Sequence, residues 1–351
     1  MVDLVYGITG NRVHKVNQVR DCGRLSGRSG LWMTGTPSTD PRRGVRCDDK
    51  SDHRSSMRPF RRPTEALPDV FIGSDAVRAG LLTARQLRGP HVARVLQGVY
   101  RPAWVPLSHR LKCQAACLVL PDTVVITGTS AATVLGLRLA DPHDDVSAAL
   151  PMGLTVPRRF GVQLRRVSDQ HPAGPVLDGV RLAHAHRLAY DAAVGKALPQ
   201  ATAVLDALGR HGIVEVGEFR AWLVGRQDNG IRAVRRAAAL VDVRAESQPE
   251  SISRVLLQQA GFEVVPQYRV VVGTRVIARV DLALPELRIA IEYDGRWHEM
   301  DVQRSLDNER LAKLRSNGWT VIVVTAELLR DPRRLVATVA AAVAERRAVL
   351  L

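Results

Sequence analysis

The run from Arg279 to Asp294, RVDLALPELRIAIEYD, restricts the possible folds more than any other part of the chain. Two aliphatic segments are separated by Pro285-Glu286-Leu287, and both carry acids within the apolar pattern. Strand side chains alternate, so Ile289, Ile291 and Tyr293 share one face, while Ala290, Glu292 and Asp294 share the other. Asp281 lies on the preceding strand and is placed to join Glu292 and Asp294 across the hairpin. An ionised group inside an apolar strand is costly unless it binds or pairs. Carboxylates gathered this way raise one another's pKa unless a cation neutralises them. The three acids therefore read as a metal set for Mg²⁺ or Mn²⁺, a hard ion that keeps several waters. Such an ion lowers the pKa of a bound water, which can then attack a phosphodiester. The alternative reading, solvated strand ends, leaves three acids on two core strands without a reason.

The segments around this run have a regular order. A helix, ESISRVLLQQAG, precedes the strands FEVVPQYRV, RVIARVDLAL and LRIAIEYDG. The helix VQRSLDNERLAKLRSNG, the strand WTVIVVT and the helix DPRRLVATVAAAVAERR follow. That order predicts a mixed sheet with helices on its faces. Glu250 fits two roles: a fourth acid of the site, and the acid of an S-x-x-E capping box that starts at Ser247 and has Pro249 in its first turn. His298, in DGRWH, is a candidate general base, phosphate contact or metal ligand. Asp307 and Arg310 are spaced i,i+3 on the next helix, either as an ordinary ion pair or with Arg310 gripping the scissile phosphate. The expected catalytic set is Asp281, Glu292, Asp294, His298 and Glu250.

Lys and Arg number 50 against 35 Asp and Glu, a formal charge of +15, which points to a polyanionic partner such as DNA. No apolar stretch approaches the ~20 residues of a membrane-spanning helix. The start MVDLVYGITG lacks the pattern of a secretory signal, so a cytoplasmic location is expected. Cys22, Cys47, Cys113 and Cys117 show no paired CxxC spacing, which argues against a zinc ribbon or a disulfide framework. Cys113 and Cys117, one helical turn apart, read as buried small hydrophobes.

Residues 1–62 are rich in Arg, Ser, Gly and Asp and read as a disordered basic arm, either a grip on DNA phosphates or an unstructured leader. Residues 63–107 read as a winged helix-turn-helix. Ser74 opens a first helix, Thr83 caps a second, and VARVLQGVYRP forms the wing about Gly98. The second helix would present Arg85, Gln86 and Arg88 to a major groove; a small packing module with solvated arginines is the alternative. Residues 108–246 read as an α/β middle domain with no catalytic set, in which His184 and His186 alternate on a strand as structural groups. The segment 230–245, GIRAVRRAAALVDVRA, is a basic helix suited either to a phosphate backbone or to solvent.

Residues 248–351 resemble the DUF559 family, a branch of the Vsr-like, PD-(D/E)XK endonuclease-like fold. The resemblance rests on PESISR, on RVDLALPELRIAIEYDG followed by RWH, and on LDNERLAKLRSNGWTVIVVT. It implies a restriction-endonuclease-like mixed sheet over residues 247–351. Asp281 would be the hairpin aspartate, Glu292 and Asp294 the pair on the central strand, Glu250 the helix acid, and His298 the histidine after the glycine. Asp294 stands where many such nucleases carry lysine, so the catalytic base must come from elsewhere. Residues 69–245 look like the AbiEi-type antitoxin architecture, on GLLTARQLRGPHVARVLQGVYRP, HRLKCQAACLVL and SAATVLGL. The fold expected is thus mixed α/β. The function expected is a Mg²⁺- or Mn²⁺-dependent DNA endonuclease directed by its amino-terminal part. The alternative is a DNA-binding regulator of the toxin–antitoxin kind, bound to its own operator or to a cognate toxin, with a non-catalytic nuclease-like domain.

Overall fold

The structure is a computed structural model that describes residues 6–9, 12–15, 67–168, 172–294 and 301–350. Its order of elements is mixed α/β. Strands β1 (Tyr6–Thr9) and β2 (Arg12–Lys15) pair antiparallel, where no regular structure was expected. The dipeptide Gly10-Asn11 separates them in the sequence, a pairing that favours two-residue hairpins. The rest of the expected arm lies outside the described residues.

Strand β3 (Phe71–Ile72), helix α1 (Gly73–Arg78), β4 (Val92–Leu96) and β5 (Val99–Pro102) form a small unit around an antiparallel sheet of order β3-β5-β4. Phe71, Ala76, Leu82 and Val92 fill its core. Gly98 turns the β4–β5 hairpin with φ 79°, a backbone state that glycine adopts without strain. The unit is not self-contained: Leu96 and Val99 belong to the large core of the next segment.

That segment comprises α2 (His109–Val119), β6 (Val125–Ile126), α3 (Gly128–Val134), β7 (Val146–Pro151), β8 (Val162–Val167), β9 (Ala173–Leu177) and β10 (Val180–Ala183). Four helices follow: α4 (Ala185–Ala193), α5 (Leu198–Arg210), α6 (Val216–Leu223) and α7 (Ile231–Ala239). Its five strands make a mixed sheet of order β8-β7-β6-β10-β9.

The last segment holds α8 (Gln248–Gln259), β11 (Val265–Val272), β12 (Arg275–Leu284), β13 (Ile289–Asp294), α9 (Asp301–Ser316), β14 (Thr320–Thr325), α10 (Ala326–Arg330) and α11 (Pro332–Leu350). The sheet order is β11-β12-β13-β14. The first three strands are antiparallel, and β13 and β14 are parallel, so α9 provides the crossover that a parallel pair needs. One apolar layer lies between the sheet and α8 and α11, through Leu257, Leu282, Ile291, Leu335 and Val339. The other lies under α9, through Ala283, Ala290 and Leu314. Helix α8 also packs along α5, where the buried ion pair of Arg254 with Asp206 (2.7 Å) joins the two segments. Among the described residues no helix is long and apolar enough to cross a membrane.

Candidate functional site

The site begins where strand β12 loses its alternation. Ala278 and Val280 pack with Leu314 on one side of the sheet, whereas Leu282 and Leu284 pack with Leu257 and Leu335 on the other. Even-numbered side chains thus change face between Val280 and Leu282. On β11 the paired rungs Pro266–Leu282 and Tyr268–Val280 are present, but none joins Gln267 to Asp281, and Gln267 has φ 53°. The β12–β13 ladder runs from Leu284–Ile289 to Leu282–Ile291 and stops, while β13 continues along β14 to Asp294–Thr325. The strands therefore part at Asp281. Its Oδ2 accepts the Tyr293 backbone N–H at 2.9 Å, satisfying a donor that a longer ladder would have used.

Three further groups converge on this opening. Ser247 caps α8, its Oγ accepting the Glu250 N–H. Glu250, 7% exposed, accepts the Glu246 N–H at 2.9 Å and the Gln267 side-chain amide at 2.8 Å, both on Oε2. Glu250 therefore serves as a cap and also faces the irregular hairpin through Gln267. Glu292, 6% exposed, is held by Arg310 in a two-pronged pair, Nη1–Oε1 3.0 Å and Nη2–Oε2 3.1 Å. Arg310 Nη1 also donates to the Arg279 carbonyl at 3.1 Å. Burial pushes the Asp281 carboxyl up to about 6, and the negative charges of Glu250 and Glu246 push the same way. The Tyr293 N–H and the Arg310 guanidinium oppose them without prevailing.

The structure thus brings Asp281 and Glu250 together and sets Glu292 with Arg310 beside them. Asp281, expected to join Glu292 across the hairpin, uses its Oδ2 to accept the Tyr293 amide. Arg310, expected on a phosphate, is engaged by Glu292. Asp294 ends β13 exposed. His298 lies outside the described residues, and of Asp307 only its place in α9 is described. Among the described residues no group of three or more His, Cys, Asp or Glu side chains could hold a metal ion, so the three-carboxylate set of Asp281, Glu292 and Asp294 is not assembled there. Mg²⁺ is commonly held by one or two carboxylates plus waters and substrate phosphate, and the oxygen donors of Asp281 and Glu250 suit a hard cation. Gln267, Glu246 and Arg279 were missed in the sequence; the signal for Gln267 was an amide inside an otherwise apolar strand.

The amino-terminal candidates fare differently. The expected second helix is a single 3-10 turn, Gln86–Arg88. Thr83 Oγ1 accepts the Gln86 N–H at 3.2 Å, and Gln86 Oε1 accepts the Thr83 N–H at 2.8 Å. Gln86 is thereby a reciprocal cap rather than a reader of bases, and one turn is too short to lie along a major groove. Arg85 and Arg88 are exposed. Gln86→Ala is expected to cost about 0.5–1 kcal/mol in a thermal melt.

In the middle segment, His184 and His186 do not alternate on a strand. The strand β10 ends at Ala183, His184 caps α4 by accepting the Arg187 N–H, and His186 lies within the helix. Cys113 and Cys117 are buried and free, as expected of small hydrophobes, and burial pushes the Cys113 thiol up to about 12. Native protein should therefore leave Cys113 unalkylated by iodoacetamide at pH 8, with labelling appearing only on unfolding.

Fold and site together define a mixed α/β protein whose carboxyl-terminal sheet opens around a half-buried acidic cluster. The chain belongs to the same family as two proteins of Mycobacterium tuberculosis, "Uncharacterized protein MT2308" of strain CDC 1551 / Oshkosh and "Uncharacterized protein Rv2248" of strain H37Rv. Each is 30% identical over 267 residues, covering 73% of this chain and 93% of the relative. No family model and no solved structure matches the chain.

Proposed function

We propose that the carboxyl-terminal segment hydrolyses phosphodiester bonds in DNA as a Mg²⁺- or Mn²⁺-dependent endonuclease related to the DUF559 and PD-(D/E)XK proteins. The observation that carries this reading is Asp281 at the parting of β12 and β13, beside Glu250, with its carboxyl pushed up to about 6. A carboxylate left in that state is one that a cation would relieve. Asp281 and Glu250 are the residues that would hold the ion, which supplies charge stabilisation at phosphorus and an acidified water. Arg310, held by Glu292 and the Arg279 carbonyl, would set the wall of the opening rather than take the phosphate itself. Arg85 and Arg88 of the amino-terminal unit would add phosphate contacts without reading sequence. A cytoplasmic setting, where nucleic acid and reduced thiols coexist, suits this activity.

The test is incubation of the full chain with supercoiled plasmid, duplex and single-stranded DNA, and RNA, each with Mg²⁺ or Mn²⁺ and with EDTA as control. Cleavage that needs the cation and is lost in Asp281→Asn supports the reading. Failure to cut any of these forms defeats it.

A further inference from the structure

The distal half of the β11–β12 hairpin carries a charge arrangement that folding alone does not account for. Between Val265 and Val280 the sequence has Arg269, Arg275 and Arg279 and no acid. Arg269 and Arg279 are direct cross-strand partners. Like charges so placed on neighbouring strands destabilise a hairpin. Arg279 is met by Glu246 at 2.8 Å. Among the described residues, Arg269 and Arg275 have no hydrogen-bond or ion-pair partner, and both are exposed. Val271, Val272 and Val276 around the Gly273 turn are 53%, 46% and 50% exposed, although strand β11 is a sheet edge where aliphatic side chains invite unwanted pairing. An arm with cations along its length and aliphatics at its tip matches a ligand with anionic rails and a groove whose floor offers base edges and thymine methyl groups for apolar contact.

We infer that this hairpin, from Arg269 to Arg279, is a nucleic-acid-binding arm whose arginines take backbone phosphates while the valine tip enters a groove of the duplex. The inference rests on the phosphodiesterase reading for its choice of partner. Its geometry is favourable. A two-stranded ribbon fits a major groove. Arg275 and Arg279 stand four residues apart on β12, with the unpaired Ile277 between them, so the strand bends there as ribbons that follow a groove do. Asp281 follows Arg279 on the same strand, so a duplex held on the arm leads directly to the opening between β12 and β13. Specific contacts to base edges are not required of it, since the arm presents only guanidinium and aliphatic groups.

Binding can be separated from cleavage by fluorescence anisotropy of the full chain on a labelled duplex in EDTA across a salt series. Arg269→Gln with Arg275→Gln should weaken binding about 10–100-fold at low salt and reduce the slope of log K against log salt by about 2, since each phosphate contact contributes ~0.9. Arg269→Glu should raise the melting temperature, because it faces Arg279, and still weaken binding; a merely structural arginine would not separate the two readouts. Unchanged affinity and slope in the Arg269/Arg275 double variant would overturn the arm while leaving cleavage untouched. A wild type that ignores duplex would overturn the arm and duplex cleavage together. If the arm variants lose binding and the wild type cuts nothing, the arm stands and the phosphodiesterase reading falls.

Discussion

Arg254→Met is expected to destabilise the protein by about 3–5 kcal/mol, measured by urea unfolding at pH 7. Arg254 and Asp206 are 2% and 1% exposed in their side chains and meet at 2.7 Å. Arg254 also donates to the Leu240 carbonyl at 2.9 Å and to Gln258 Oε1 at 3.1 Å. Asp206 accepts the Asp242 N–H at 2.8 Å. Burial raises the Asp206 carboxyl even so, outweighing Arg254, Ser251 and the amide. Desolvation therefore consumes most of what the pair gains, and the intact pair adds little net stability. Removing one half is different, because a buried carboxylate is left without its counter-charge. Adding Asp206→Leu to the methionine variant should recover much of the loss, and a double-mutant cycle measures the coupling. Since α8 carries Glu250 one turn before Arg254, the single variant should also lose any activity that depends on Glu250. Recovery of stability without the arginine would then show whether the clamp positions the acid or only holds the helices.

Asp281→Asn should move activity and stability in opposite directions. Cleavage is expected to fall by about 10²–10³-fold, because Asp281 would hold the cation that stabilises charge at phosphorus. Stability should rise at pH 8 in the absence of divalent ions. The folded-state carboxyl lies at about 6 against an ordinary 3.8, so the folded protein binds this proton more tightly than the unfolded chain. The stability from that proton is fully present below pH ~4 and disappears as pH rises through about 6. The shift corresponds to a ceiling of about 3 kcal/mol, and solvent access to a half-buried group reduces it to about 1–2 kcal/mol. Asparagine keeps an oxygen for the Tyr293 N–H and carries no charge to desolvate. The variant should gain that much over wild type at pH 8 and nothing at pH 4, as read from paired denaturation curves. An unchanged difference across pH would show that Asp281 is not held in the raised state.

The carboxyl-terminal sheet was legible because its apolar runs are long and its stops are clear. Gly318, with φ 78°, stands two residues beyond the end of α9, and Pro249 lies in the first turn of α8. The acids were legible as acids, and Ser247 as a cap. Their mutual arrangement was not, because alternation assumes an unbroken strand, while the missing rung at Asp281 depends on the left-handed backbone of Gln267 across from it and on where the β12–β13 ladder ends. The hold of Arg310 on Glu292 spans a helix and a strand and has no local signature. Thr83 was correctly read as a cap, yet the turn it caps stops at Gly89 before a helix can propagate. His184 was misassigned because RLAHAHRL alternates like a strand, whereas the change to a helix occurs at His184 itself, whose side chain supplies the cap. Packing of α8 on α5 was invisible, since Asp206 and Arg254 are distant in sequence and each looks like an ordinary charged helix residue.

The most direct test of the central claim is Mn²⁺ binding to the full chain at pH 7.5, followed by electron paramagnetic resonance with a non-hydrolysable duplex present. Wild-type protein should take up the ion at a site that Asp281→Asn and Glu250→Gln each weaken and the double variant abolishes. Uptake that is absent in the wild type, or unchanged in the double variant, would contradict the assignment of these two carboxylates to a cation at the opening between β12 and β13.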